Sequence, residues 1–444
     1  MKSFVRGAVI AFAFLVSGCV TKTVFVDATN SSAPFDGSAQ NPFPTIQQGL
    51  DAAANKFGAT VKVRQGSYTE HLQMARNNSL VGDRGAILLV SGNDPAITVR
   101  GNNSIVNMVI VPASAAQLVG GPGIRWAWDG LGSPDVETTL TIRNCELRGM
   151  FRGMEFTSPG TLAFASNALI NLRLTADGNW FRDNLGDSIN VDLRGPTQGN
   201  VALHLDVRNN ISDGGGTGTG LLLFADERQS SSAGSPSTRI DGTVINNLFI
   251  SGTAGIQMEA ASRSVIALQI IGNTIAAQNS SGIVGDVEGG SFGAGNGLVS
   301  PVLERNIIAN SGDAGYLEFT PKADATVRTN LFFANVGGQY VDTTASDSVR
   351  IQNAAGINGL PGASGNVVAD PLFVRGSAPI LGNIDNTING PGAFFLTQTA
   401  TSVSPAVSAG GVTAVEAGVS TRTTRTDLAV DSGQADLGFH FAPP

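Results

Sequence analysis

Asn247-Leu-Phe-Ile-Ser-Gly-Thr-Ala-Gly-Ile-Gln-Met258, followed by Asn273-Thr-Ile275 and Gly282-Ile-Val284, carries the pattern that decides the fold. An Asn opens a short apolar run, and several positions later a Gly opens a second one. The Asn unit recurs at Asn107-Met-Val-Ile, Asn144-Cys-Glu-Leu, Asn179-Trp-Phe, Asn210-Ile-Ser, Asn306-Ile-Ile and Asn330-Leu-Phe-Phe, and the Gly unit at Gly153-Met-Glu-Phe, Gly220-Leu-Leu-Leu-Phe and Gly315-Tyr-Leu-Glu-Phe. Between Asn107 and Asn330 the Asn-to-Asn steps are 37, 35, 31, 37, 26, 33 and 24 residues. Propellers and leucine-rich repeats keep tighter periods. A column of short parallel strands tolerates such variation, because insertions leave from the turns while the strands keep stacking. Asn suits the bend, since it tolerates a left-handed backbone and its amide can bond the Asn of the next coil. The expected fold is all-β, a single-stranded right-handed parallel β-helix, in which stacking supplies the core that no coil can bury alone.

Composition agrees. The 444 residues include 56 Gly but only 3 Tyr and 3 Trp, and 14% are charged, which suits short strands and tight polar turns better than long helices. A formal charge of −8 argues against a nucleic-acid partner. Acidic polymers meet the same repulsion unless Ca²⁺ or a local Arg cluster intervenes, whereas a neutral glycan does not.

Both ends depart from the repeat. Met1–Arg6 carries positive charge and 7–16 is an apolar run too short to span a bilayer. Residues 1–18 are expected to be a signal peptide. Its end, Leu15-Val-Ser-Gly-Cys19, resembles a bacterial lipobox, which implies lipidation at Cys19 and a membrane partner through that anchor. Val20 in place of Asp favours the outer membrane, facing the periplasm or the cell surface. With Cys19 acylated, Cys145 has no disulfide partner and is expected to be a buried small hydrophobe. Residues 19–78 form an N-terminal cap in which Ile46, Leu50, Ala53, Ala54 and Phe57 share one face of an amphipathic capping helix, with Pro44 in its first turn. The β-helix is assigned to 79–374 and a C-terminal closing segment to 375–444.

Val24-Phe-Val-Asp27, Pro42-Phe-Pro-Thr-Ile-Gln47, Leu50-Asp-Ala-Ala53, Val61-Lys-Val63, Gly66-Ser-Tyr68 and Leu80-Val-Gly82 resemble the opening of the pectin-lyase-like superfamily, above all its bacterial proteins with right-handed β-helix repeats. The resemblance implies polysaccharide as partner. The opening also resembles pectin methylesterases, but their catalytic segment has no counterpart. Asp187-Ser-Ile-Asn190 only loosely resembles the polygalacturonase Asn-Thr-Asp motif, and its companion motifs are absent. Asp370-Pro-Leu-Phe373 and Asp436-Leu-Gly-Phe-His440 resemble the segment that follows the last coil in such proteins.

Chemistry on this scaffold comes from outward side chains stacked coil on coil, about 5 Å apart. Alternation sends Asn190, Asp192, Gln257, Glu259, Val284 and Asp286 outward, with Asp226, Glu227, Glu288 and Glu318 near the same edge. Asp192, Asp226, Glu259 and Asp286 are the candidate catalytic acids or Ca²⁺ ligands, with Arg228 beside them. Arg194 and Arg263 follow neighbouring strands, and Arg194 could neutralise a uronate carboxylate. Trp126 and Trp128 alternate onto one side and could offer stacking surface to a sugar. A solvated acidic face and core tryptophans are the competing structural readings. The histidines His71, His204 and His440 lack metal-ligand spacing, and no metal site or cofactor is assigned beyond a possible Ca²⁺. Two functions follow: a polysaccharide lyase or glycoside hydrolase, or a noncatalytic surface protein that binds glycan or mediates adhesion. A monomer is expected in either case.

Overall fold

The computed structural model describes residues 23–442 apart from 115–118, 129–136, 159–168, 196–199, 228–237, 289–296, 344–347 and 375–390. The signal sequence, Cys19 and Arg228 therefore lie outside the described residues. Within them the chain winds through three sheets in turn. The first runs from Thr23–Val26 and Thr60–Val63 to Thr326–Arg328, the second from Gly66–Thr69 to Val367–Val368, and the third from Leu72–Gln73 to Gly338–Asp342. Their 12, 11 and 11 strands pair in parallel, coil upon coil, except that Val349–Ile351 adds antiparallel to Gly338–Asp342. Parallel strands joined by crossovers in this way wind right-handed as a rule.

Alternation fixes which side chains enter the column. In Asn200–Arg208, Val201, Leu203, Leu205 and Val207 point in while His204, Asp206 and Arg208 point out. The repeated Gly residues sit where the next coil's interior side chain arrives. A Cβ on Gly220 would lie 2.3 Å from the Phe249 ring, and one on Gly153 would lie 2.4 Å from Phe181. Gly is kept there by packing, since neither position has a positive φ.

The Asn ladder is present and runs Asn179, Asn210, Asn247, Asn273, Asn306, Asn330 and Asn366. Each side-chain amide donates to the next Asn Oδ1 at 2.9–3.1 Å. The bend divides its two tasks between adjacent residues, where the sequence reading gave both to one Asn. The left-handed backbone belongs to the preceding position: Asn209 (φ 58°), Asn246 (53°), Arg305 (58°) and Thr329 (53°). Asn107 and Asn144 are in that left-handed position, so the ladder position in their coils falls to Met108 and Cys145. Cys145 is buried, and desolvation pushes its thiol up to about 12.

The N-terminal helix spans Ile46–Ala54 and buries Ile46, Gly49, Leu50 and Ala53 against the first strands. Thr45 is its N-cap, and the Glu70 carboxylate accepts from the N–H groups of Ile46 and Gln47 at 2.8 and 2.9 Å, an anion at the positive end of the helix. The helix is shorter than its periodicity suggests. Pro44 lies before the cap, Ala54 is exposed, and Phe57 is 84% exposed because the chain leaves the helix at Asn55 and turns at Gly58 (φ 72°).

The C-terminal segment does more than follow the last coil. It returns along the outward side of the second sheet, where Phe373, Leu396, Ala406 and Leu437 pack on Ile307, Ala309 and Leu331, and Phe439 and Phe441 pack on Leu248, Ile250 and Ala276. Asn246 and His440, 194 residues apart, exchange two bonds: the His440 N–H donates to Asn246 Oδ1 at 2.6 Å, and Asn246 Nδ2 donates to the His440 carbonyl at 3.0 Å.

Candidate functional site

The outward face of the third sheet carries Asp192, Arg194, Glu259 and Asp286 of the residues singled out from sequence. Its strands Ile124–Ala127, Met154–Thr157, Ile189–Arg194, Leu221–Asp226, Ile256–Ala261 and Ile283–Glu288 stack in register. One column of partners reads Thr157, Asp192, Phe224, Glu259, Asp286, and the next reads Arg194, Asp226, Ala261, Glu288.

The structure brings only part of the acidic row together. Phe224 stands between Asp192 and Glu259, which puts their strands about 9–10 Å apart at the spacing of parallel strands. Asp226 is buried and accepts from the Ser262 hydroxyl at 3.0 Å. The neighbouring Glu227 is buried against Arg263 at 2.5 Å. Neither is available as a solvent-facing acid, because covered carboxylates persist only with such partners. Glu259 accepts from the Gln257 amide, and Asp286 on the next strand is raised above the usual carboxylate range by burial, with the Val287 N–H opposing. Among the described residues no three His, Cys, Asp or Glu side chains gather closely enough to hold a metal ion, so the acidic row forms no Ca²⁺ cage there.

The tryptophan expectation is corrected. Trp126 and Trp128 do share a side, but it is the inner one, where they are 1% and 3% exposed. Trp126 meets Phe156 of the next coil edge to face at 4.9 Å, so its indole fills the column and offers no surface to a sugar.

The aromatic surface is Phe224. It lines an open groove of about 310 Å³ together with Arg152, Glu155, Thr157, Asn190, Asp192 and Arg194. Arg194 bonds Asp192 at 2.8 Å and holds its guanidinium 5.7 Å from the centre of the Phe224 ring. That carboxylate keeps Arg194 more firmly protonated than usual, and partial burial opposes it. At the other wall Glu155 is clamped by Arg125 at 2.7 Å and Arg152 at 2.6 Å. Arg152 reaches Asp187 at 3.3 Å, and Asp187 in turn accepts from Asn190 at 3.1 Å. The result is a groove with hydrogen-bonding walls, one ring face and acids already matched to guanidinium groups. Phe224, Arg152 and Glu155 were legible in principle, because the alternation that turns Asp192 outward turns Phe224 outward on the next strand.

No family model matches the chain, and no curated protein matches it. Solved structures do. A mannuronan C-5 epimerase A-module from Azotobacter vinelandii is 16% identical over 73% of this chain and 94% of its own, with a TM-score of 0.36. An Acinetobacter phage tailspike protein is 12% identical over 86% of this chain and 64% of its own, with a TM-score of 0.43. A PL6 family polysaccharide lyase from Pseudopedobacter saltans is 12% identical over 81% of this chain and 98% of its own, with a TM-score of 0.25. The architecture is that of a parallel β-helix. The strand registers carry that statement, since likenesses at these scores say nothing about activity.

Proposed function

We propose that the protein is a lipid-anchored, outer-membrane β-helix that binds polysaccharide through the groove on its third sheet. The single observation that carries the reading is the pairing of the outward-facing, half-buried Phe224 ring with the guanidinium and carboxylate groups of Arg152, Glu155, Asp192 and Arg194 around one open trough. A pyranose presents C–H groups to an aromatic face and hydroxyls to its sides, and this wall chemistry matches both. Binding is favoured over cleavage because the groove acids are already ion-paired. The raised acid, Asp286, stands three strands from Asp192 in the register and outside the groove. A glycoside hydrolase canonically places two carboxyl groups across one bond, one of them holding a proton, and the raised acid here lies outside the groove.

The test is retention of the purified protein on plant, algal and bacterial polysaccharides, with and without Ca²⁺, while ultraviolet absorbance follows unsaturated product. Retention on at least one polymer without product is expected, weakened roughly 5-fold by Phe224→Ala, the equivalent of losing about 1 kcal/mol of ring contact. Absorbing product would make the protein a lyase and overturn the reading, as would silence across the whole panel.

A further inference from the structure

A larger depression, about 610 Å³, lies where the returning C-terminal segment passes the outward face of the first sheet. Strands Asn200–Arg208 and Thr238–Ile245 supply His204, Asp206, Arg208 and Thr243, and the C-terminal segment supplies Thr421 and Arg422. Most charges here are already matched. Asp206 holds Arg208 at 3.0 Å, and Asp241 holds His204 Nδ1 at 2.8 Å and Arg239 at 2.7 Å. His204 is thereby oriented with Nε2 unengaged among the described residues.

Arg422 is the exception. Its guanidinium is half-buried and donates one bond, to the His440 carbonyl at 3.3 Å, with no described carboxylate within 4 Å. Asp177 acts on it only from farther away, and that carboxylate already serves Arg208 at 3.6 Å, Arg143 at 3.8 Å and Asn209 at 2.7 Å. A half-buried cation with no carboxylate in contact, at the wall of an open groove, favours an anion as its partner. The companion groups narrow the choice. The Thr243 and Thr421 hydroxyls and His204 Nε2 lack partners among the described residues and suit hydroxyl groups. The Asp206 carboxylate accepts hydroxyls but repels a second negative charge.

We propose that this groove binds a monoanionic, hydroxyl-rich ligand, a sugar acid, with its carboxylate on Arg422 and its hydroxyls on Asp206, Thr421 and His204. A phosphate dianion would meet Asp206 with one uncompensated guanidinium, and a neutral sugar would leave Arg422 without its counter-charge. The site is separate from the third-sheet groove and does not depend on it.

Calorimetric titration of the full-length protein with glucuronate, methyl glucoside, inorganic phosphate and an acidic trisaccharide tests it. Binding of glucuronate or the trisaccharide is expected, with methyl glucoside and phosphate at least 10-fold weaker. A trisaccharide that binds more tightly than the monomer identifies a glycan unit as the source, and equal affinity identifies the free acid. Arg422→Gln should cost at least 10-fold. Arg422→Lys, which keeps the charge but loses the two-pronged donor, should cost at least 3-fold and carries the test together with Thr421→Val if Arg422→Gln does not fold. Lys62→Gln, an exposed change on the first coil outside both grooves, should change nothing. The proposal fails if no acid binds, if phosphate competes equally, or if the Arg422 variants bind normally. In that last case the third-sheet site would account for the binding.

Discussion

Asn273 makes plain what a single residue does in this column. Its Oδ1 accepts from the backbone N–H and the side chain of Asn247, and its Nδ2 donates to Val244, Ile271 and Asn306. Asn273→Ala strands several buried donors and acceptors at once, and buried groups left unsatisfied cost about 1–3 kcal/mol each. A loss of roughly 2–3 kcal/mol is expected by denaturant titration, against less than about 0.5 kcal/mol for the exposed Asn55→Ala. Thr329 offers the opposite change. It is β-branched and holds φ at 53°, so Thr329→Gly should relieve about 1 kcal/mol of backbone strain, read as a higher melting temperature. Gly220→Ala, with its Cβ set against Phe249, should destabilise by about 1–3 kcal/mol.

Among the elements, the short strands of the second sheet explain the C-terminal return. Leu248–Ile250, Thr274–Ala276 and Ile307–Ala309 are buried at every position, because the interior takes the middle residue and the returning segment covers the outer two. Continuous apolar runs are what strands covered on both faces require, and Asn247-Leu-Phe-Ile already showed one. What the runs do not reveal is which segment covers them. Asp431 helps hold it down. Burial raises its carboxyl, but the bond from His440 Nε2 at 3.0 Å and the Asp436 N–H at 2.9 Å outweigh burial and set it below the ordinary value of 3.8. A carboxyl depressed in the folded state stabilises fully above its unfolded value and loses that contribution as pH falls through the folded one. Asp436 is raised by burial and contributes in the other sense, losing its share as pH rises through its own higher value. Asp436→Asn removes the opposing group, so in that variant limited proteolysis on descent below pH 3.8 should free the C-terminal segment more readily than at neutral pH. Asp431→Asn should loosen it at neutral pH and make little difference once the pH has fallen through the Asp431 value, and a segment equally protected at neutral pH in that variant would refute the role given to Asp431.

At the scale of the whole molecule, three parallel sheets form one column, and every useful surface is an outward face seen across several coils. If the lipid anchor is attached as proposed, Cys19→Ser should move the protein from the membrane fraction to the soluble one, measured by fractionation of expressing cells. The column itself was legible from Asn and Gly spacing, and so were the outward positions of Asp192 and Arg194. The groove was not. Asp226 and the two tryptophans belong to the same alternating strands, yet Asp226 is covered and Trp126 fills the interior. Helix length was over-read for a similar reason, since Phe57 continues the 3.6-residue pattern past the residue where the chain turns away. What the sequence settled by itself was local: bends that need Asn or Gly, and alternation that sorts inside from outside. Those preferences act within a few neighbouring residues. Which outward side chains share a groove, and which are covered, was decided only when distant coils and the returning segment met. The Asn246–His440 pair, 194 residues apart, depends on the length of every coil between them.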